Sequence, residues 1–208
     1  MYNPPAFRED RIDRLHAMMR AQPLANLVIA AGEGFEASPL PLLIDPEPAP
    51  LGTLSGHIAR GNPLARGDGA MALAIFMGPD AYVTPSWYAT KRETGRVVPT
   101  WNYVTIHAEG RLRFFDDPAS LLALVKRLTA RHEAGRAAPW AVEDAPADFI
   151  AAQLKGIVGF TLALTRLEGK WKMSQNRPPA DRAGVIAGLG EAGRAEIASL
   201  IGGDQPET

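Results

Sequence analysis

One segment of this 208-residue chain constrains its fold more than any other, because residues 101–114 alternate in character with a period of two. Asn102, Val104 and Ile106 fall on one face of the segment, while Tyr103 and Thr105 fall on the other. Alternation sustained over a dozen residues is typical of a β-strand with one buried face. The segment therefore predicts a long strand, which needs a sheet around it.

Further apolar runs bounded by Gly, Pro and Asn predict the other strands, at residues 24–31, 35–44, 51–60, 70–78 and 156–171. The run at 70–78 is apolar on both faces, which predicts a central position in the sheet. The proline-rich stretch 45–50 predicts a surface loop. Because these strands are joined mostly through turns, the fold class is mainly β with peripheral helices (α+β), an antiparallel barrel rather than a doubly wound parallel sheet.

Four segments have helical periodicity, at residues 10–22, 117–134, 146–153 and 181–201. Asp117 and Pro118 form an N-terminal signal for the second helix, since an acidic cap followed by proline suits the first turn. We expect one domain over residues 1–178, with the 117–134 helix at its periphery. Residues 179–208 would then be a helical tail packed on that domain or on a partner.

Composition excludes several classes of site. The chain has no cysteine, so disulfides, thiolate nucleophiles and cysteine-held metal clusters are excluded, and its four histidines lack ligand spacing. No metal is therefore expected.

With 22 basic and 23 acidic residues and no helix-turn-helix pattern, direct DNA binding is not supported. No apolar segment approaches the ~18 residues of a membrane span, and the cytoplasm is the expected location.

The first polar cluster predicted to bind a ligand lies at the end of strand 51–60. His57, Arg60 and Asn62 stand beside Gly61, where the backbone allows an anion to approach closely. The alternative is ordinary structure, with Arg60 facing solvent and His57 bonded to a neighbouring strand.

A second cluster follows near residue 84. Thr84, Ser86 and Lys91 place two hydroxyls and an ammonium within eight positions, a combination that suits a phosphate ester. Trp87 adds an aromatic surface on which a planar ring can stack. A polar loop anchored by aromatic residues is the alternative interpretation.

Two more clusters lie at the ends of long strands. Trp101 and Asn102 open the alternating strand, and an amide that both donates and accepts matches the polar edge of a planar heterocycle. Lys172, Ser174 and Gln175 end the last strand, where successive polar groups indicate a specific ligand. A basic run in this place is also typical of a solvated face.

Four motifs within these clusters resemble one known family. They are residues 57–63 (HIARGNP), 83–88 (VTPSWY), 98–103 (VPTWNY) and 169–176 (GKWKMSQN). In combination they resemble the PaiB-like FMN-binding regulators, which are related to the pyridoxamine phosphate oxidase and flavin reductase split barrels. The resemblance extends over nearly the whole chain.

This resemblance implies a split β-barrel that binds FMN as a homodimer, with two FMN sites at the subunit interface, each assembled from both chains. It assigns the flavin phosphate to Arg60, Ser86 and Lys91, with Thr84 nearby. The remaining cofactor contacts that it implies are His57, Asn62, Trp87, Trp101, Asn102 and, reaching across from the second subunit, Lys172, Ser174 and Gln175.

Three functions follow from the resemblance as alternatives. The family implies a negative transcriptional or redox-linked regulator, whose effect would be indirect if the chain does not contact DNA. A flavin-dependent oxidoreductase or flavin reductase using NADH or NADPH is the second, with His57 as a proton donor. A haem-handling split barrel is the third, with His57 or His107 as axial ligand. Catalytic residues stay unassigned.

Overall fold

The alternating segment is a strand, β7 (Thr100–Phe115), in the computed structural model of the chain, which describes residues 1–47 and 50–203. The other strands are β1 (Arg8–Glu9), β2 (Leu24–Ala31), β3 (Gly34–Pro41), β4 (Leu43–Asp45), β5 (Thr53–Ala59), β6 (Met71–Val83) and β8 (Ile157–Lys172). Their hydrogen-bonded order is β3-β2-β6-β7-β8-β5-β4, with β1 paired to β8. The chain is therefore mainly antiparallel β-sheet with helices, which confirms the predicted fold class at that level.

Helices connect and flank these strands. They are α1 (Ile12–Ala21), α2 (Ala89–Thr94), α3 (Pro118–Glu133), α4 (Ala147–Leu154), α5 (Pro179–Glu191) and α6 (Ala195–Gly202), with short 3-10 turns at Pro5–Phe7, Pro63–Arg66, Pro85–Trp87 and Val142–Asp144. Among the described residues, no helix has the length and apolarity needed to cross a membrane.

Three predicted elements differ from those observed. Strand 35–44 is divided into β3 and β4 at Leu42, because Pro41 is the last residue paired with β2 and Leu43 is the first paired with β5. Strand β6 continues past the predicted end at Gly78 to Val83. The single helix predicted over 181–201 is two helices, since Gly193 between them has a left-handed φ of 72° that glycine adopts readily.

The chain forms two compact units, and each is described by itself. The first unit contains residues 1–15, 77–106 and 168–203, and the second contains 16–76 and 107–167. Two predictions reach beyond the described residues: Pro48 and Ala49 of the 45–50 loop and residues 204–208 of the tail lie outside them.

The second unit holds most of the paired strands. Strand β5 pairs with β8 from Thr53 opposite Ala163 to Ala59 opposite Ile157. Helix α3 begins as the sequence predicts, because the Asp117 carboxylate accepts the amide of Ser120 at 2.9 Å. Leu124 and Leu128 of that helix pack with Leu43 of β4.

The first unit contains the C-terminal helices. Helix α5 packs against α6, against α2 and against the turn Pro85–Trp87. Val185, Leu189 and Ile201 are fully buried there. Helix α5 thus lies directly against the segment that carries the second predicted polar cluster.

Candidate functional site

The second polar cluster is organised by a short turn in the first unit. The Thr84 hydroxyl accepts the amide of Ser86 at 3.3 Å and so caps the turn that follows β6. The Lys91 ammonium, one helical turn later, donates to the Ser86 hydroxyl at 3.1 Å. Ser86 and Lys91 are both exposed. A cation and a hydroxyl held together on a surface form a suitable pair of ligands for a phosphate oxygen.

Trp87 lies against α5 in a groove made by two glycines. A methyl group placed on Gly184 would lie 2.0 Å from the Trp87 carbonyl oxygen, and one placed on Gly188 would lie 2.3 Å from the indole ring. Only glycine therefore allows this approach. The groove fixes Trp87, and with it the turn that carries Ser86.

A buried carboxylate from α5 anchors the start of α2. Asp181 is 0% exposed, and its Oδ1 accepts the amide of Thr90 at 2.9 Å. The local residue before α2, Tyr88, makes no side-chain cap. The unpaired amides at a helix start need an acceptor, and Tyr88 does not provide one. Asp181, which is distant in sequence, provides the acceptor instead. Lys91 is held on this helix.

Asn102 and Ser174 are brought together in the first unit. Asn102 is 0% exposed, and its amide nitrogen lies 3.0 Å from the Ser174 hydroxyl, which in turn lies 3.2 Å from the Asn102 Oδ1. Ser174 has a left-handed φ of 59°. A non-glycine residue in this region is uncommon, and the bond to Asn102 helps to hold it there.

Gln175 bonds within its own turn. Its Oε1 accepts the amide of Met173 at 2.7 Å, and its Nε2 donates to the carbonyl of Trp171. The side chain therefore closes the end of β8 and shapes the segment that contains Ser174.

Three cations gather without an acidic partner in the first unit. Lys170 is 8% exposed and donates to the Tyr2 carbonyl at 3.0 Å, with its ammonium 5.4 Å from the Tyr103 ring centre. Lys172 donates to the Thr100 hydroxyl, and Arg177 lies over the Tyr88 ring. Within residues 1–47 and 50–203, none of the three cations forms an ion pair with a carboxylate.

The pKa of Lys172 reflects the unfavourable electrostatics of this arrangement. Burial lowers the pKa of Lys172 below its usual value of 10.5, and the charges of Lys170 and Arg177 lower it further, against the opposing effect of Tyr103. A partly buried cation without a counterion is unfavourable by itself. An anionic ligand would relieve that cost.

Trp101 presents an open aromatic surface. Its side chain is 52% exposed and meets the Tyr82 ring edge to face, with ring centres 6.1 Å apart. An exposed tryptophan at the start of β7, on the same strand as Asn102, is available for stacking.

The three predicted residues of the first cluster belong to the second unit. The Arg60 guanidinium donates to the carbonyls of Lys155 and Ile157 at 3.0 and 3.1 Å and to the Asp116 carboxylate at 3.2 Å. Asn62 caps the turn Pro63–Arg66 through the amide of Leu64 at 3.0 Å. These two side chains stabilise local structure.

His57 differs from its two neighbours, because it makes no such bond. Its Nδ1 is enclosed and has no hydrogen-bond partner among the described residues. Burial lowers the pKa of His57 below 6.5, so the ring is neutral at pH 7.

Sequence reasoning missed the supporting residues Asp181, Gly184 and Gly188. Each acts on a residue between 91 and 101 positions away, so no local spacing indicates it. The glycine pair at i and i+4 lies on one helix face, but that spacing does not say which residue packs against it.

Comparison with known proteins identifies the family of the chain. Residues 1–166 match the family model described as "Putative FMN-binding domain". The chain belongs to this family of FMN-binding domains. Family membership confirms the resemblance seen in the sequence motifs, and FMN is the cofactor that it assigns.

One relative covers nearly the full length of the FMN-binding chain, and another covers about two thirds of it. An uncharacterized protein of Emericella nidulans, AN0679, is 33% identical over 93% of this chain and 92% of its own length. The Bacillus subtilis protease synthase and sporulation protein PAI 2 is 34% identical over 65% of this chain and 64% of its own length.

Solved structures share the fold of the FMN-binding chain. The FAD and haem binding protein of Mycobacterium smegmatis has a TM-score of 0.59 at 18% identity, covering 79% of this chain and 73% of that one. The flavocytochrome Anf3 of Azotobacter vinelandii has a TM-score of 0.57 at 14% identity, covering 80% and 69%. At these identities the likeness concerns the fold alone.

The residues of the first unit fit FMN chemically. A flavin phosphate needs cations and hydroxyls, which Lys91 and Ser86 provide. The ring system needs an aromatic surface and polar groups at its edge, which Trp101 and Lys172 provide. The excess of positive charge around Lys172 suits a ligand that carries negative charge.

Proposed function

We propose that this chain is an FMN-binding, redox-linked regulator of the PaiB type that works as a homodimer. The observation that carries the proposal is the set of cations in the first unit without acidic partners, in a chain of the FMN-binding family. The name of the PAI 2 relative, a protease synthase and sporulation protein, supports the regulatory part.

In this proposal Ser86 and Lys91 hold the flavin phosphate, with Thr84 ordering their turn. Trp101 flanks the ring, and Lys172 adds positive charge at the polar edge. The remaining contacts are shaped or supplied by Trp87, Asn102, Ser174, Gln175, Arg60 and Asn62. Bound FMN supplies electron-transfer and hydride-transfer chemistry; the protein's groups bind it, orient it and adjust its electrostatic surroundings.

The phosphate assignment is tested by Lys91→Ala. We expect FMN affinity to fall by roughly tenfold to a hundredfold, since a charged hydrogen bond is lost, while riboflavin affinity, measured by fluorescence titration, stays the same. Arg92→Ala, a change to the adjacent exposed cation on α2, is the matched control. Equal losses for FMN and riboflavin, or no loss for either, would contradict the assignment.

The role of Arg60 is tested separately. Lys91→Ala combined with Arg60→Ala should abolish FMN retention while the protein remains folded and dimeric. Because Arg60 already binds three acceptors of its own chain, the single Arg60→Ala variant reports whether it also contacts FMN. Unchanged FMN affinity in that variant, beside a lowered melting temperature, would confine Arg60 to a structural role.

The regulatory part is tested by a mobility-shift assay with and without FMN, using DNA upstream of genes whose expression changes on deletion. A specific complex at modest salt would show direct control. If no complex forms while deletion still alters expression, the effect is indirect, as the near-neutral net charge of -1 favours.

A second candidate function is a flavin-dependent oxidoreductase. The half-exposed faces of Trp101 and Tyr82 favour it, because they leave an aromatic surface open to a nicotinamide or substrate ring. Anaerobic titration with NADH and NADPH tests it, since bleaching of the flavin absorbance identifies the donor. The same visible spectrum distinguishes flavin bands from the Soret band that a haem protein would show.

A further inference from the structure

The second unit contains an apolar cleft that the proposed function does not use. Its volume is about 260 Å³, and helices α3 and α4 line it through residues such as Val125 and Ile150. Trp140 and Phe149 also line it, and they are 49% and 54% exposed. Concave, mostly apolar surfaces with exposed aromatic rings are typical of small-molecule sites.

Trp140 is held in place at this cleft. Its backbone amide donates to the Glu133 carboxylate at 3.1 Å, and Glu133 also pairs with Arg136 at 3.2 Å. The end of α3 therefore fixes the segment that carries Trp140. The Trp140 ring is therefore exposed at a position that these contacts fix.

His57 is one of three polar residues, with Thr129 and Gln153, in a mostly apolar lining. It lines the cleft, and its Nδ1 finds no hydrogen-bond partner among the residues described. Buried polar groups normally have partners, so an imidazole with unused hydrogen-bonding capacity is notable. Burial lowers the pKa of His57, which keeps the ring neutral at pH 7.

The size and charge of the cleft limit what it can hold. A cavity of about 150 Å³ accepts a benzene ring, so about 260 Å³ accepts one or two fused rings. No charged side chain lines it within the described part of the chain. A phosphorylated three-ring flavin is therefore too large and too charged for it.

We propose that this cleft binds a neutral, planar compound of one or two rings with a single polar substituent, which stacks on Trp140 and hydrogen-bonds to His57. The inference goes beyond FMN binding and does not depend on it.

The test uses 2-naphthol as the probe and isothermal titration calorimetry of the protein saturated with FMN. We expect one site per chain with a Kd in the range of about 0.1 to 1 mM, as for a compound of this size. Trp140→Ala should weaken binding at least tenfold. Phe35→Ala, which removes a more exposed aromatic ring elsewhere in the second unit, should leave binding unchanged.

Further substitutions test the proposed hydrogen bond to His57 and the space available in the cleft. His57→Phe should weaken 2-naphthol binding about tenfold, while His57→Gln, which keeps a hydrogen-bonding group, should retain most of it. Ala145→Phe adds bulk to the lining without removing a contact, and it should abolish binding even if Trp140→Ala proves poorly folded.

Two results would overturn the inference. One is 2-naphthol binding that is the same in wild type, Trp140→Ala and Ala145→Phe. The other is binding seen only in FMN-free protein and displaced by FMN, which would assign the cleft to the flavin. Failure of FMN binding itself would instead appear as an absent flavin spectrum, with the 2-naphthol titration still readable.

Discussion

At the scale of single residues, Lys172 combines a cost in stability with a proposed role in binding. Its lowered pKa means that the folded state binds this proton less tightly than the unfolded state does. The cost is present in full below the folded pKa and disappears as the pH rises to 10.5, where the unfolded lysine also loses its charge. Lys172→Met should therefore be more stable than wild type at pH 7, with a difference that shrinks as the pH approaches that value.

Urea unfolding at a series of pH values measures this difference, and fluorescence titration measures the accompanying loss of FMN and riboflavin affinity. Lys155→Met, at an exposed lysine, serves as the control and should change neither quantity. A Lys172→Met variant that is less stable at pH 7 would show that packing of the lysine stem outweighs the burial of its charge.

At the scale of elements, helix α5 positions the turn and helix that carry Ser86 and Lys91. Gly188→Ala would place a methyl group 2.3 Å from the Trp87 indole. We expect a loss of about 1–3 kcal/mol in the free energy of unfolding, as for other overpacked sites, and FMN affinity lowered by roughly tenfold with riboflavin much less affected. Thermal unfolding and flavin titration measure the two effects.

The same helix offers a matched control. A methyl group on Gly190 would meet nothing within 4 Å, so Gly190→Ala should be neutral or stabilise the helix by up to about 1 kcal/mol. If Gly188→Ala lowers stability but leaves FMN affinity intact, α5 supports the fold without positioning the phosphate contacts.

At the scale of the whole molecule, β6 carries an apolar face that its own chain leaves partly open. Leu73 and Ile75 are half-buried and Met71 is 48% exposed, while Ala72 and Ala74 between them are buried on the other face. Exposed apolar surface of this kind is typical of subunit contacts, which supports the proposed homodimer. Ile75→Glu should convert a dimer, at twice the chain mass of 22.3 kDa, to monomer and reduce FMN retention.

Light scattering coupled to size-exclusion chromatography measures the mass. Phe35→Glu adds the same charge at an 80% exposed side chain in the β2–β3 hairpin and should remain dimeric. A wild-type protein that is already monomeric with FMN bound would remove the interface from the proposal.

Sequence reasoning predicted the elements whose signals lie within neighbouring residues, and it missed those whose signals come from residues far apart in the chain. The alternation of β7 and the Asp117 cap of α3 are local, and both elements were predicted within one or two residues of their observed ends. Helix α2 was missed, because six residues give little periodicity and its capping acceptor, Asp181, lies 91 positions away. The division at Gly193 needed a backbone angle that composition does not specify.

The sequence by itself determined the antiparallel β-rich fold, the family and the cofactor, because strand periodicity and the HIARGNP and GKWKMSQN motifs are local patterns. Only the tertiary structure decided that Asn102 meets Ser174, that three cations gather without a carboxylate partner among the described residues, and that Arg60 is bound to acceptors of its own chain. The physical reason is that hydrogen bonding, burial and charge balance depend on residues far apart in sequence, whose approach is set by packing and not by spacing.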